Sequence, residues 1–163
     1  MMFHNNDYLL SFSVPINTSI LLNEYNSVKE NAVDYSDHRP RASFNNWKMV
    51  KHDFPYAKEL IKFFRLEKFD VRPRFYLLNK NTLLKQHVDN GTLCSLNFIL
   101  SYENAPINFR EKEFIYKYAL INTQSHHGVS HPSPEDRILF KLSVMDLSYH
   151  KTKLIIEDVL SNT

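Results

Sequence analysis

Apolar residues recur at helical spacing in two places within residues 1–70 of the chain. The first series follows the capping candidates Asn17-Thr18-Ser19 and comprises Leu21, Tyr25, Val28 and Ala32. The second has Asp53 as its expected cap and Pro55 in its first turn. Its apolar members are Ala57, Leu60, Ile61 and Phe64. The spacing predicts two helices, separated by an irregular stretch at 37–47.

From residue 71 onward the pattern changes to the alternation and short apolar runs of β-strands. Strands are predicted at 72–78, 83–86, 93–101, 107–109, 114–122 and 138–144, with a long loop at 126–136. Helices followed by strands predict antiparallel sheets with helices packed on one side. We expect one domain, with helical support at about 1–70 and a β core at about 71–147. The stretch 154–160 fits a helix and a strand equally well.

The last predicted strand has two different faces. One face is apolar and suits packing against the helices: Ile138, Phe140, Leu142 and Val144. The residues that point the other way are Arg137, Leu139, Lys141 and Ser143. We therefore expect Arg137 to face the interior of a sandwich or barrel. Lys141 is either an interior partner or points out of the end of the barrel.

Composition is that of a soluble globular domain. The 163 residues are 43% hydrophobic and 23% charged, with a net charge of +2 and no basic stripe, so charge gives no argument for nucleic-acid binding. The single cysteine, Cys94, excludes an internal disulfide and favours a reducing, cytoplasmic setting, where it is expected to be a buried strand thiol. Neither a secretory signal nor a membrane span is expected.

The two glycines of the chain each stand beside candidate metal ligands. Gly91 ends the stretch His87-Val88-Asp89-Asn90-Gly91, and Gly128 follows His126-His127. In an extended segment His87 and Asp89 share a face and can bind one ion together, while Gly91 allows a sharp turn. The third ligand would be His126, His127 or His131. Two histidines and one carboxylate are typical of an iron site with open positions, although His-x-Asp alone is equally typical of a solvated or capping pair.

Two longer stretches resemble the iron(II)- and 2-oxoglutarate-dependent dioxygenases. The first is Arg74-Phe75-Tyr76-Leu77-Leu78 with 84–89 and 94–100, and the second is His127-Gly128-Val129 with 135–139. In the second, a His-x-Val is followed ten residues later by Arg137, as in the aspartyl/asparaginyl β-hydroxylase and prolyl-hydroxylase branches. This spacing selects His127 over its neighbours. The resemblance implies a mainly β fold with N-terminal helices, the double-stranded β-helix, also called a jelly roll or cupin-like barrel.

The resemblance also implies roles for individual residues. His87, Asp89 and His127 would bind iron(II), and Arg137 would bind the distal carboxylate of 2-oxoglutarate. With O2, such an enzyme hydroxylates a protein side chain or a small molecule and releases succinate and CO2. Tyr76 and Asn97 are further candidates for the co-substrate site; the alternatives are a core tyrosine and an asparagine that satisfies backbone groups. Trp47 and Phe44 are candidates for the substrate entrance, with a core role as the alternative.

The sequence also departs from the branches that it resembles. The segment between Asp89 and His127 is short, and the arginine that often follows the first motif is absent. Ser143 stands where the nucleic-acid demethylase branch carries a second arginine, which disfavours a nucleobase substrate. Two other interpretations remain at this stage: a non-enzymatic cupin-like binding protein, and a three-histidine site that uses His126 or His131 instead of Asp89.

Overall fold

The computed structural model describes residues 6–34, 47–102 and 105–163. Within these ranges the chain forms three α-helices: α1 (Thr18–Val28), α2 (Pro55–Phe63) and α3 (Tyr149–Ser161). A 3-10 turn at Lys29–Asn31 follows α1. The strands of the same ranges are β1 (Leu9–Phe12), β2 (Val33–Asp34), β3 (Trp47–Lys51), β4 (Val71–Leu78), β5 (Leu84–His87), β6 (Cys94–Ile99), β7 (Ile107–Phe109), β8 (Lys112–Phe114), β9 (Tyr118–Ile121), β10 (His127–Val129) and β11 (Arg137–Val144).

The strands form two antiparallel sheets. The major sheet has seven strands in the order β1-β9-β6-β11-β4-β3-β2, and the minor sheet has four in the order β5-β10-β7-β8. One apolar cluster contains side chains of both sheets, among them Tyr76 and Leu139 from the major sheet and Leu84, Ile107 and Val129 from the minor sheet. The two sheets therefore face each other across a shared interior, as the predicted double-stranded β-helix requires.

The outer face of the major sheet packs against the helices. The larger apolar cluster joins Phe140 and Leu142 of β11 to Leu21 of α1, Leu60 of α2 and Ile156 of α3. Alternation along β11 places Leu139 in the other cluster, between the sheets. The two predicted faces of this strand are confirmed.

The starts of the first two helices differ in how they are capped. Asn17 caps α1 as predicted, because its Oδ1 accepts a hydrogen bond of 3.3 Å from the backbone N–H of Ile20. Pro55 begins α2 as predicted, but the predicted cap Asp53 is wrong. Phe54 occupies the capping position without a side-chain hydrogen bond, and the Asp53 carboxylate lies 3.8 Å from Lys58 Nζ at the surface.

Several strands lie where the sequence predicted none. The first part of the chain supplies β1 and β3 to the major sheet, so Trp47 begins a strand and is not part of an irregular stretch; residues 37–46 lie outside the described ranges. The single strand predicted at 114–122 is two strands, β8 and β9, and the loop predicted at 126–136 contains β10. Residues 154–160 are helical, within α3.

Cys94 is a structural thiol at the start of β6. It is fully buried, and its Sγ donates a hydrogen bond of 3.3 Å to Thr152 Oγ1 in α3. Burial raises the pKa of the Cys94 thiol to about 11, because a thiolate loses its hydration there. The interpretation of Cys94 as a buried strand thiol is confirmed. Among the described helices, none combines the length and the apolar character needed to cross a membrane.

Candidate metal centre

A close approach of two short strands brings the two histidines together. His87 ends β5 and His127 begins β10, and the two residues are directly opposite each other in the antiparallel pair. The register then shifts, because Val129 pairs with Leu84. A Cβ added at Gly128 would lie 2.5 Å from the Leu84 carbonyl oxygen. A glycine is therefore required where the irregular strand β5 presses against β10.

Asp89 completes the cluster from the loop after β5. Its backbone N–H donates a hydrogen bond of 3.0 Å to the Thr123 carbonyl, and its carbonyl accepts one of 3.1 Å from Gln124 Nε2. Gly91 then turns the chain with a φ of 81°, as predicted. Asp89 Oδ1 lies 3.2 Å from His87 Nε2 and 3.3 Å from His127 Nε2. One donor atom from each residue lies within 4.8 Å of the others.

Backbone contacts orient both imidazole rings toward Asp89. His87 Nδ1 lies 2.8 Å from the Lys85 carbonyl oxygen, and His127 Nδ1 lies 2.7 Å from the Ser125 carbonyl oxygen. A carbonyl oxygen only accepts hydrogen bonds, so Nδ1 carries the proton in each ring. Each ring thereby directs its other nitrogen, Nε2, to the space beside Asp89, and Nε2 is the atom that would bind a metal. The donor set therefore fits a divalent metal such as iron(II).

The two oxygens of the Asp89 carboxylate have different partners. Oδ1 faces the histidines, whereas Oδ2 accepts a hydrogen bond of 2.7 Å from Lys141 Nζ. Burial alone would raise the pKa of Asp89, but the Lys141 charge and the hydrogen bonds from His127 and His87 outweigh it. The pKa of this carboxyl is therefore well below its usual range, and the group is ionised. Of the two sequence interpretations of Lys141, the interior partner is correct.

The cluster of His87, Asp89 and His127 lines a cavity between the sheets, and Arg137 lines the same cavity. Arg137 is buried at the start of β11 and donates a hydrogen bond to the Ala105 carbonyl. Its guanidinium carbon lies 5.9 Å from the centre of the Tyr116 ring. The cavity thus has three acceptor atoms for a metal in one part and a fixed guanidinium in another.

Tyr76 and Asn97 both line this cavity. The Tyr76 ring stacks on Trp47, with ring centres 5.0 Å apart, so Trp47 also lies at the cavity; Phe44 is outside the described residues. Asn97 Nδ2 donates a hydrogen bond of 3.1 Å to Tyr116 Oη, and its Oδ1 accepts one of 2.7 Å from the Ser95 hydroxyl. Within the described residues, the Asn97 amide therefore bonds to side chains and not to the backbone groups that the sequence interpretation offered as the alternative.

Sequence reasoning did not single out Tyr116. It falls inside the strand predicted at 114–122, which would have made it one more alternating residue. The observed break between β8 and β9 instead directs its buried ring to the cavity, beside Arg137. The proximity of the Tyr116 ring to Arg137 is the signal that would have identified this residue. This proximity exists only because the chain breaks between β8 and β9, and the sequence pattern did not predict the break.

The other two candidate histidines lie away from the cluster. The His126 side chain is exposed. His131 Nε2 lies 2.6 Å from Glu113 Oε1 in a surface pair whose side chains are about half exposed. The three-histidine alternative is therefore wrong: the group that the fold brings together is His87, Asp89 and His127.

The fold is similar to that of several solved prolyl hydroxylases. A viral collagen prolyl hydroxylase from Paramecium Bursaria Chlorella virus-1, solved as a 2OG complex, has a TM-score of 0.60 at 10% identity, covering 85% of this chain and 96% of that one. A prolyl-4-hydroxylase from Pseudomonas putida has a TM-score of 0.62 at 11% identity, covering 83% and 91%. A prolyl hydroxylase from Trichoplax adhaerens, solved with a hypoxia inducible factor peptide fragment, has 0.59 at 13%, covering 90% and 85%.

Comparison by sequence gives no match. No protein-family profile and no curated protein matches the chain. At identities of 10% to 13%, the structural likeness establishes the fold, and the predicted fold class is confirmed. Activity depends on the residues of the site and not on the fold alone.

Proposed function

We propose that this chain is an iron(II)- and 2-oxoglutarate-dependent oxygenase that hydroxylates a protein side chain or a small molecule and releases succinate and CO2. One observation carries the proposal: a single cavity between the sheets is lined by the His87, Asp89 and His127 cluster and by the buried Arg137. Two imidazole nitrogens and one carboxylate oxygen make the ligand set of non-haem iron oxygenases, which leaves positions open for co-substrate and O2.

Each residue has a defined part in this proposal. The Nε2 atoms of His87 and His127 and Oδ1 of Asp89 bind the metal. The Arg137 guanidinium binds the distal carboxylate of 2-oxoglutarate through a two-pronged hydrogen bond, with the Tyr116 ring beside it. Tyr76 and Asn97 shape the co-substrate pocket. When bound, iron(II) and 2-oxoglutarate supply the activation of O2, while the protein fixes their positions and limits access of water.

A protein side chain is the first choice of substrate. The similar protein from Trichoplax adhaerens was solved with a peptide, which supports a protein side chain as the first choice. Ser143 still disfavours a nucleobase, and the net charge of +2 gives no electrostatic argument for a nucleic acid. A cytoplasmic, reducing setting belongs to the proposal as well, supported by the single free thiol, which is buried.

Succinate formation without a prime substrate tests the proposed function. Purified protein with iron(II), ascorbate and 2-oxoglutarate is expected to form succinate slowly, because such sites turn over the co-substrate without coupling. Asp89→Ala removes one of three ligands and is expected to abolish this activity. Asp53→Ala is the matched control, since its carboxylate is at the surface beside Lys58. If the protein binds metal and 2-oxoglutarate but forms no succinate, the proposed enzymatic function is wrong. The alternative of a non-enzymatic cupin-like binding protein would then hold.

A further inference from the structure

The inner face of the major sheet carries a second buried arginine, which the proposed metal and co-substrate sites do not use. Arg74 in β4 is 7% exposed, and its Nε is buried without a hydrogen-bond partner. No hydrogen bond or ion pair joins its guanidinium to another residue of the described ranges. Because burying a cation without a counter-charge is costly, we expect an anionic ligand to bind beside Arg74 when the protein functions.

Strand pairing places Arg74 next to the proposed metal ligands. Arg74 and Tyr76 are two residues apart in β4 and share the inner face, and Arg74 lies directly opposite Lys141, the partner of Asp89. Ser143 is the next inward residue of β11 and therefore a diagonal neighbour of Arg74. Ser143 is fully buried, and its Oγ also lacks a hydrogen-bond partner. Two partnerless buried polar groups thus adjoin each other on neighbouring strands.

Two carboxylates of this region, Asp89 and Asp70, already have other cations. Asp89 accepts a hydrogen bond of 2.7 Å from Lys141, and Asp70 accepts two from Arg72, of 2.8 and 3.1 Å. The pKa of Asp70 is lowered first by the Arg72 hydrogen bonds and further by the charges of Arg72 and Arg74. The Arg74 charge is therefore felt by Asp70, just before β4. However, the Asp70 carboxylate is hydrogen-bonded to the guanidinium of Arg72 and not to that of Arg74.

The co-substrate proposed for Arg137 does not extend to this position. Ser143 follows Arg137 by six residues in an extended strand, which is roughly 20 Å at about 3.3 Å per residue. Lys141 and Asp89 lie between the two ends. A five-carbon diacid bound to Arg137 and to a metal at Asp89 leaves Arg74 and Ser143 for a different molecule.

We infer that Arg74 and Ser143 bind a carboxylate group of the substrate that is hydroxylated at the adjacent metal site. This inference rests on the proposed function. The planar guanidinium matches a carboxylate with two parallel hydrogen bonds, and the Ser143 hydroxyl adds a third donor. The substrate is therefore an acid, and its carboxylate belongs either to a side chain or to the end of a chain or small molecule.

Three small probes on protein loaded with zinc(II) and 2-oxoglutarate test the inference. N-acetylaspartate amide offers a side-chain carboxylate, N-acetylalanine offers a terminal carboxylate, and N-acetylalanine amide is neutral. The Arg74 Nε–H resonance, identified by its loss in Arg74→Gln, is expected to shift with one or both acids and not with the neutral probe. Which acid binds more tightly tells the two sources of the carboxylate apart.

Variants connect the binding to Arg74 itself. In calorimetric titrations, which do not depend on the Arg74 resonance, Arg74→Gln is expected to weaken binding of the acids about tenfold or more, and Ser143→Ala less, since a charge-assisted hydrogen bond is the stronger one. Lys51→Gln is the matched control, because Lys51 is an exposed cation directly opposite Arg74 on β3. If Arg74→Gln does not fold, Arg74→Lys is used in its place, because it keeps the positive charge but lacks the planar guanidinium.

The outcomes separate this inference from the proposed function. Absence of acid binding in the wild type, or equal weakening in Lys51→Gln, overturns the carboxylate site. A large loss of 2-oxoglutarate affinity in Arg74→Gln also overturns it, because Arg74 would then hold the co-substrate. Quenching of the single tryptophan, Trp47, which lines the cavity, reports 2-oxoglutarate binding in the same samples. Acid binding without zinc or 2-oxoglutarate binding would overturn the proposed function and leave Arg74 as an anion site.

Discussion

Lys141 Nζ lies 2.7 Å from Asp89 Oδ2, in a pair whose two side chains are 8% and 10% exposed. The hydrogen bond occupies one oxygen of the carboxylate and leaves Oδ1 to the histidines. In the proposed site, Asp89 would therefore hold the metal through Oδ1 alone.

Replacing Lys141 tests this relationship. Lys141→Met is expected to lower the free energy of unfolding of the metal-free protein by about 3–5 kcal/mol, because it leaves a buried carboxylate without its cation. A bound divalent ion supplies that positive charge, so the loss is expected to be smaller with zinc(II). Urea unfolding with and without zinc(II) measures both values, and Lys51→Met is the exposed control. An equal loss in the two conditions would contradict this account.

The two glycines are expected to respond differently to alanine. In Gly128→Ala the new Cβ meets the Leu84 carbonyl, and the backbone of β10 has to move, so His127 leaves its place opposite His87. In Gly91→Ala the nearest neighbour is Met145 Cε at 3.7 Å, and the cost of about 1 kcal/mol comes from the positive φ. Zinc(II) titration is expected to show the larger loss of affinity for Gly128→Ala. The reverse order would mean that the strand approach does not position the ligands.

Arg137→Lys separates charge from geometry in the co-substrate pocket. Lysine keeps the positive charge but loses the planar fork, so 2-oxoglutarate affinity is expected to fall by roughly 1–3 kcal/mol while metal affinity is retained. Calorimetric titration of 2-oxoglutarate into metal-loaded protein measures the change. Unchanged affinity would mean that Arg137 serves the fold through its bond to the Ala105 carbonyl, and its assignment to the co-substrate would be withdrawn.

Cys94 makes stability depend on pH in the alkaline range. Its folded pKa of about 11 is above the ordinary value of 9.0, so its stabilising contribution is complete below about pH 9 and is lost as the pH rises toward about 11. We expect the free energy of unfolding of the wild type, relative to Cys94→Ala, to fall by up to about 3 kcal/mol across this range. Parallel urea titrations at several pH values measure the difference. A constant difference would show that the thiol is accessible to water in the folded state.

Local patterns predicted much of this molecule. The spacing after Asn17 predicted α1, the alternation from Ile138 predicted both faces of β11, and the alternation of His87 and Asp89 predicted two members of the cluster. The third member, His127, was selected among three histidines by the spacing of the family motif that ends at Arg137. Each of these signals is contained in one segment, or in a spacing within one motif.

The features that the sequence did not predict depend on pairings between distant segments. The strand β1 has no alternation of its own and is recognisable by its pairing with β9, and β10 is three residues long within a polar loop. The Lys141 bond to Asp89 and the turn of Tyr116 into the cavity depend on the arrangement of both sheets. A linear pattern assigns a side chain to a face, but it does not say which side chain on the opposite sheet that face meets.

The minor sheet is made of strands of three or four residues, and it carries both histidines of the cluster. A metal ion held by His87 and His127 is a cross-link between β5 and β10, and by mass action it stabilises their pairing against local opening. Separation of these two strands then requires release of the ion. Amide hydrogen exchange in β5 and β10 is therefore expected to slow as the metal concentration rises, more than exchange in strands that hold no ligand.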